Sequence, residues 1–232
     1  MIIKWNPASP DIELLVKKPQ PAMNYLPDWY KAHSAFETKK PEINSRQGAN
    51  KTIRHCMPFL DSLGAGYIQE SWQDMYIKFE EDGTYEYTQP ATPNVFDVRT
   101  KVHVEMGEFF YPKAFSYHQP WFPELPKGWS MLYVQPLNRP ELPFNFLSGV
   151  IDADKYTVSR DDTSNPFYLK KGFDGVIPAG TPLVQMIPIK RSDWRSSFES
   201  FDEEKQKTIM FKINQKFWGG YKRNFWTRKS YS

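Results

Sequence analysis

The densest chemistry in this chain lies at its end. After Glu204, eight lysines and arginines and no acid alternate with large rings, running through Lys205, Lys207, Lys212, Lys216, Lys222, Arg223, Arg228 and Lys229. Tyr221, Lys222, Arg223, Trp226, Arg228 and Lys229 form the tightest group, in which cations could meet phosphates or carboxylates and rings could stack on bases or fill pockets. An acidic protein partner or a nucleic acid is the ligand such a group would take. A bland alternative stands beside it: the rings tuck behind a helix and the lysines make a solvated face.

Elsewhere the catalytic repertoire is thin. There is no phosphate-cradling glycine loop, no nucleophile elbow, no paired zinc-ligand motif and no pair of CxxC knuckles. Four histidines, at 33, 55, 103 and 118, have no spacing that places two on one element for a metal. His103 and Glu105 share a strand face, but two ligands alone do not make a site. Cys56 sits in the apolar run His55-Cys56-Met57-Pro58-Phe59 and reads as a small buried hydrophobe.

The elements that must position these residues are mostly strands. In 232 residues, 16% aromatics supply enough apolar area for one large core, and 20 prolines against 12 glycines favour short strands and ordered loops over a helical bundle. The expected class is mainly β: a β-clip, distorted barrel or sandwich with long proline-aromatic loops, one short amino-terminal helix and a carboxy-terminal helix. Strands are expected at 67–79, 85–88, 98–104, 129–134, 144–151, 167–169 and 183–189, with an Asp82-Gly83 turn between the first two. Residues 111–126 read as a proline-aromatic loop. Pro27-Asp28-Trp29 starts the one helix expected in the first third. Residues 1–190 are thus read as one β domain with a proline-rich extension, and 191–232 as a helical basic arm packed on it.

Asp202 caps the arm's helix, and Ile209, Met210, Ile213 and Phe217 make a stripe expected to dock on the β core. One cysteine excludes a disulfide framework and fits a reducing compartment. No signal peptide or membrane-spanning run is visible, so the expected location is cytoplasm or virion, with no membrane partner.

One block carries a family resemblance. Tyr133-Val134-Gln135-Pro136-Leu137-Asn138-Arg139, then Gly149-Val150-Ile151-Asp152, then Gly180 through Gln185 resemble in order and spacing the trimeric dUTPase and dCTP deaminase fold. The resemblance implies that Asp152 aligns with a water-activating carboxylate, Gln185 with a phosphate-contacting amide and Tyr156 with a sugar-packing ring displaced by one place. Arg139 would be a late phosphate contact, with Mg²⁺ brought by the substrate phosphates. The departures are substantial. Leu137-Asn138 replace the family's Arg-Ser, Lys155 is inserted before Tyr156, and the glycine-rich closing arm is missing. Pro21-Ala22, Leu26 through Lys31 and Cys56 through Asp61 are similar to an uncharacterised family of tailed phages and some bacteria, which implies a virus-related origin.

Two functions follow as expectations. The favoured one is a non-enzymatic binding or assembly protein, a virion component, with no cofactor and with protein as partner, itself or other virion proteins. The alternative is a dUTPase-like nucleotide pyrophosphatase or deaminase with Asp152 as general base.

Overall fold

The computed structural model describes residues 1–38, 40–44, 48–80, 84–99, 106–157, 164–215 and 219–231. The Glu81-Asp82-Gly83 turn, the His103/Glu105 pair and Phe217 lie outside them.

The amino-terminal third is a series of short elements. Strand β1 (Lys4–Pro7) leads to helix α1 (Pro10–Leu15), which Ser9 caps by accepting from the Ile12 amide at 3.3 Å, with Pro10 opening the first turn. Then come β2 (Gln20–Pro21), α2 (Asp28–Ala32), the two-residue strands β3 (Ile43–Asn44) and β4 (Gly48–Ala49), and α3 (Met57–Leu63). Three short helices therefore stand where one was expected. The Ser-Pro-Asp start of α1 is a sound helix signal, hidden by the prolines that follow it.

Strands β5 (Tyr67–Glu70) and β6 (Met75–Phe79) were expected as one. They belong to different sheets because the chain turns between them, where the Ser71 hydroxyl donates to the Gln73 carbonyl at 2.5 Å. β7 (Tyr85–Thr88) pairs back on β6 with Tyr85 opposite Phe79, the register of a tight hairpin. β8 (Phe96–Val98) precedes β9 (Phe110–His118) and β10 (Trp121–Glu124), which replace the expected loop. The prolines are tolerated for local reasons. Pro112 falls beside the irregularity in β9's pairing to its neighbour, and Pro123 lies in a two-stranded pair with β1, where a missing N–H is affordable.

The remaining strands are β11 (Trp129–Val134), β12 (Phe144–Phe146), β13 (Gly149–Ile151), β14 (Ser164–Lys170), β15 (Gly175–Ile177) and β16 (Pro182–Lys190). They complete a five-stranded sheet in the order β13-β11-β16-β5-β2, a four-stranded sheet β12-β14-β9-β8 and a three-stranded sheet β15-β6-β7. The protein is mainly β, and among the described residues no sheet closes on itself.

Period-two alternation builds the core. Met131 and Tyr133 on β11 and Val184 and Met186 on β16 face Phe115 and Tyr117 on β9 and Phe167 and Leu169 on β14, all buried in one cluster. Phe167 is its hub, with ring centroids 5.2 Å from Phe146 and 5.5 Å from Phe115. Such ring pairs add roughly 0.5–1.5 kcal/mol each beyond area burial.

After Lys190 the chain leaves the sheet. Residues 192–202 have no regular structure, α4 (Glu203–Asn214) follows, and α5 (Gly220–Asn224) turns back against it.

Candidate functional site

Strand β11 separates two polar clusters. At its start, the Ser130 hydroxyl donates to Asp152 Oδ1 at 2.8 Å, and Arg191 Nη1 donates to the same oxygen at 2.8 Å and to the Trp129 carbonyl at 3.0 Å. Arg191 Nη2 also binds Asp154, whose carboxylate accepts from the Gly128 amide at 2.8 Å. The Ser130 hydroxyl, with Arg191 behind it, holds Asp152 below the usual carboxylate range. Arg191 and the Gly128 amide push Asp154 down to about 2. A general base works best with a pKa near the working pH, and both shifts run away from it. The guanidinium occupies the place a cation would take between them.

At the other end of β11, Gln185 lies opposite Val134 and is buried. Its amide donates to the Ser62 carbonyl at 3.0 Å and the Ala65 carbonyl at 2.7 Å, and accepts from the Leu137 amide at 2.8 Å. Both of its amide hydrogens are directed at backbone carbonyls rather than into open space. Four strand residues, about 13 Å, separate the Ser130 end from the Val134 end. Arg139 is mostly covered, bound to Glu141 and, at 2.9 Å, to the Tyr25 carbonyl. Tyr156 stands in an exposed turn after Asp152. The dUTPase-like candidates are therefore not gathered into one site.

What the Gln185 cluster does build is a cleft of about 510 Å³. Trp29 on α2 and Phe59 on α3 form one wall, the Pro136–Pro140 loop the other, and Phe144, Asn145 and Lys170 the far edge. Side chains pin the loop in place. Asn138 Nδ2 donates to Ser62 Oγ at 2.7 Å, the Trp29 indole to Glu141 at 3.3 Å, and Gln135 Oε1 accepts from the Phe146 amide at 2.8 Å. The floor is apolar. Lys170 at the edge donates to the Pro140 carbonyl at 2.6 Å and has no acidic partner among the described residues.

The arm is the second unusual feature. Trp194, Phe198 and Phe201 are 85%, 98% and 76% exposed, and α4 buries no residue, leaving Ile209, Met210 and Phe211 open as well. Asp202 caps α4 as expected, accepting from the Lys205 amide at 2.9 Å, yet its apolar stripe does not dock on the β core. The attachment is made further on. The Trp226 indole donates to Asp61 at 2.9 Å, Lys229 reaches the same carboxylate at 2.5 Å, and Tyr231 packs edge-on against Tyr67. Lys222 and Lys229 also lie 5.9 and 5.7 Å from the Trp226 ring, which is therefore engaged within the chain. Tyr221 stacks on Phe225, while Arg223 and Arg228 are exposed.

No family model matches the chain, and no curated protein matches it. Among solved structures it is similar to a mutant dUTPase from phage phi11 of S. aureus. The TM-score is 0.34 at 10% identity, over 88% of this chain and 98% of that one. So distant a likeness does not assign a family.

Among the described residues, no three His, Cys, Asp or Glu gather to hold a metal, and no helix is long and apolar enough to cross a membrane. His118 instead pairs with Asp97 at 2.8 Å across neighbouring strands. Sequence reading missed the cleft and the three arm rings. The cleft joins positions up to 141 residues apart (Trp29 to Lys170), beyond any local pattern. The rings did carry a signal: Trp194, Phe198 and Phe201 recur at i, i+4 and i+7 between polar residues.

Proposed function

We propose that this chain is a β-rich binding or assembly protein that works through its carboxy-terminal arm. One observation carries the reading: three large aromatic side chains, Trp194, Phe198 and Phe201, stand in solvent on a segment that buries nothing. Aromatic rings in such a position forgo the favourable free energy of leaving water until another surface covers them, and they are the side chains that dominate protein interfaces. The β domain acts as a rigid base, because Arg191 anchors the arm's start and Trp226 its end. The phage-family resemblance implies a virus-related origin and no activity of its own; the partner in this reading is another protein surface.

Light scattering on the eluting intact chain, with pull-down from its native host, tests this. Association beyond the 27.3 kDa monomer, or a stable protein partner, is expected. Either is expected to be lost in Trp194→Ser/Phe198→Ser/Phe201→Ser. A strict monomer with no partner overturns the reading.

A further inference from the structure

We propose that the arm of one copy of this chain docks in the Trp29–Phe59 cleft of a second copy, with Trp194, Phe198 and Phe201 as its anchors. This rests on the protein-binding reading above and names its partner.

The chemistry of the two surfaces is complementary. The cleft has an apolar floor of aromatic and proline rings and a volume of about 510 Å³, enough for a large ring, and no arm residue lines it within its own chain. Its edge carries Lys170, whose charge has no acidic partner among the described residues. The arm supplies what that edge lacks: Asp193 and Glu199 stand beside the exposed rings with no cationic partner among the described residues, whereas Asp202 caps α4 and Glu203 and Glu204 pair with Lys207. The i, i+4, i+7 spacing puts all three rings on one face if the segment coils on docking, the form in which apolar grooves take their anchors.

The area is sufficient. A large aromatic ring buries about 150–250 Å², so three bring roughly 600 Å² per arm. Two exchanged arms and the surfaces they cover exceed the roughly 1,000 Å² that a specific interface needs. Each copy offers one arm and one cleft, so a reciprocal two-fold exchange fills both and leaves neither open.

The test uses two full-length variants: the triple arm variant above and a cleft variant, Trp29→Ala/Lys170→Glu, with melting curves to confirm folding. Light scattering should show wild type as a multimer and each variant alone as a monomer. Mixing the two should restore a heteromeric contact, since one supplies an intact arm and the other an intact cleft. A fluorescent peptide spanning residues 191–205 should bind the arm variant, with affinity falling about tenfold or more once Trp29→Ala/Lys170→Glu is added. If the double substitution unfolds the chain, Lys170→Glu alone carries the comparison.

Self-association lost in the arm variant but intact in the cleft variant overturns this inference and leaves the protein-binding reading standing. So does a monomer that captures a different protein. A monomer with no partner overturns both.

Discussion

Arg191 binds Asp154 at the point where the arm leaves the β domain, and the same guanidinium reaches Asp152 and the Trp129 carbonyl. One side chain thus ties β11, the turn after β13 and the root of the arm. The Asp154 side chain is almost wholly covered, so its charge is held by this cation and the Gly128 amide rather than by water. A fixed root matters for an arm that must reach a neighbour, because it limits the conformations to be ordered on docking.

This ion pair sets an acid limit. Asp154 titrates at about 2 in the folded chain against 3.8 for an ordinary aspartate, so the folded state binds its proton more weakly than the unfolded one. Its stabilisation is fully present above pH 4 and fades as pH falls from about 4 towards 2. Melting temperatures between pH 6 and 2 should fall more steeply for wild type than for Asp154→Asn. Parallel curves would show that the pair contributes nothing to acid sensitivity.

Gln185 supports the cleft from behind, and its replacement should be costly. Gln185→Leu keeps the bulk but strands the Leu137 amide and the Ser62 and Ala65 carbonyls, and an unsatisfied buried group costs about 1–3 kcal/mol. Urea denaturation should show a loss of about 2 kcal/mol or more. Binding of the 191–205 peptide should weaken too, since the Leu137 wall is no longer held. If nucleotide hydrolysis were the activity, Asp152→Asn would abolish turnover of a deoxynucleotide triphosphate panel; no turnover is expected from either protein.

Gly66 fixes how β5 enters the main sheet. Its φ is +67°, and a Cβ there would stand 2.0 Å from the Met186 carbonyl oxygen on β16. Gly66→Ala therefore combines a left-handed backbone penalty of about 1–2 kcal/mol with a backbone clash that no rotamer relieves. Its own carbonyl also accepts from the Ala22 amide at 2.9 Å, so the displacement carries into the Pro21 region. The variant should melt well below wild type, while Gly180→Ala, with open space around its Cβ, should lose only the backbone term.

The sequence carried the core more clearly than the surface. Trp129–Val134 and Leu183–Ile187 are short, nearly continuous apolar runs bounded by proline and glycine, the pattern of strands covered on both faces, and Leu183 through Met186 are all buried. Strands β9 and β10 were masked by Pro112, Pro120 and Pro123, because proline signals a missing donor without revealing whether the fold needs that donor. The α4 stripe shows a different limit. Ile209, Met210 and Ile213 do share a helix face, but periodicity identifies an apolar face and not what covers it. The strand expected at 129–134 is present, and the one expected at 144–151 is split into β12 and β13, which join different sheets. Residue types at positions resembling those of dUTPases could not show that Arg191 would claim Asp152 or that backbone would claim Gln185.

The tail's return to the body is testable by itself. Trp226 meets Asp61 through its indole N–H, and Lys229 binds the same carboxylate, which is mostly covered. Trp226→Phe retains a ring and loses the hydrogen bond to a charged acceptor, worth about 1.5–3 kcal/mol, whereas Lys229→Met removes a partly exposed ion pair worth about 1 kcal/mol or less. The tail carries few other ties, so its local opening should respond more than the core. Limited proteolysis after Gly219 should accelerate strongly in Trp226→Phe and Asp61→Asn and only slightly in Lys229→Met, with the global melting temperature nearly unchanged. Released from Asp61, the Trp226 ring and its flanking cations become available to outside ligands. Any weak binding of single-stranded nucleic acid should then rise in Asp61→Asn and fall steeply with salt. Equal cleavage rates in all four proteins would mean that the Asp61 contact does not hold the tail.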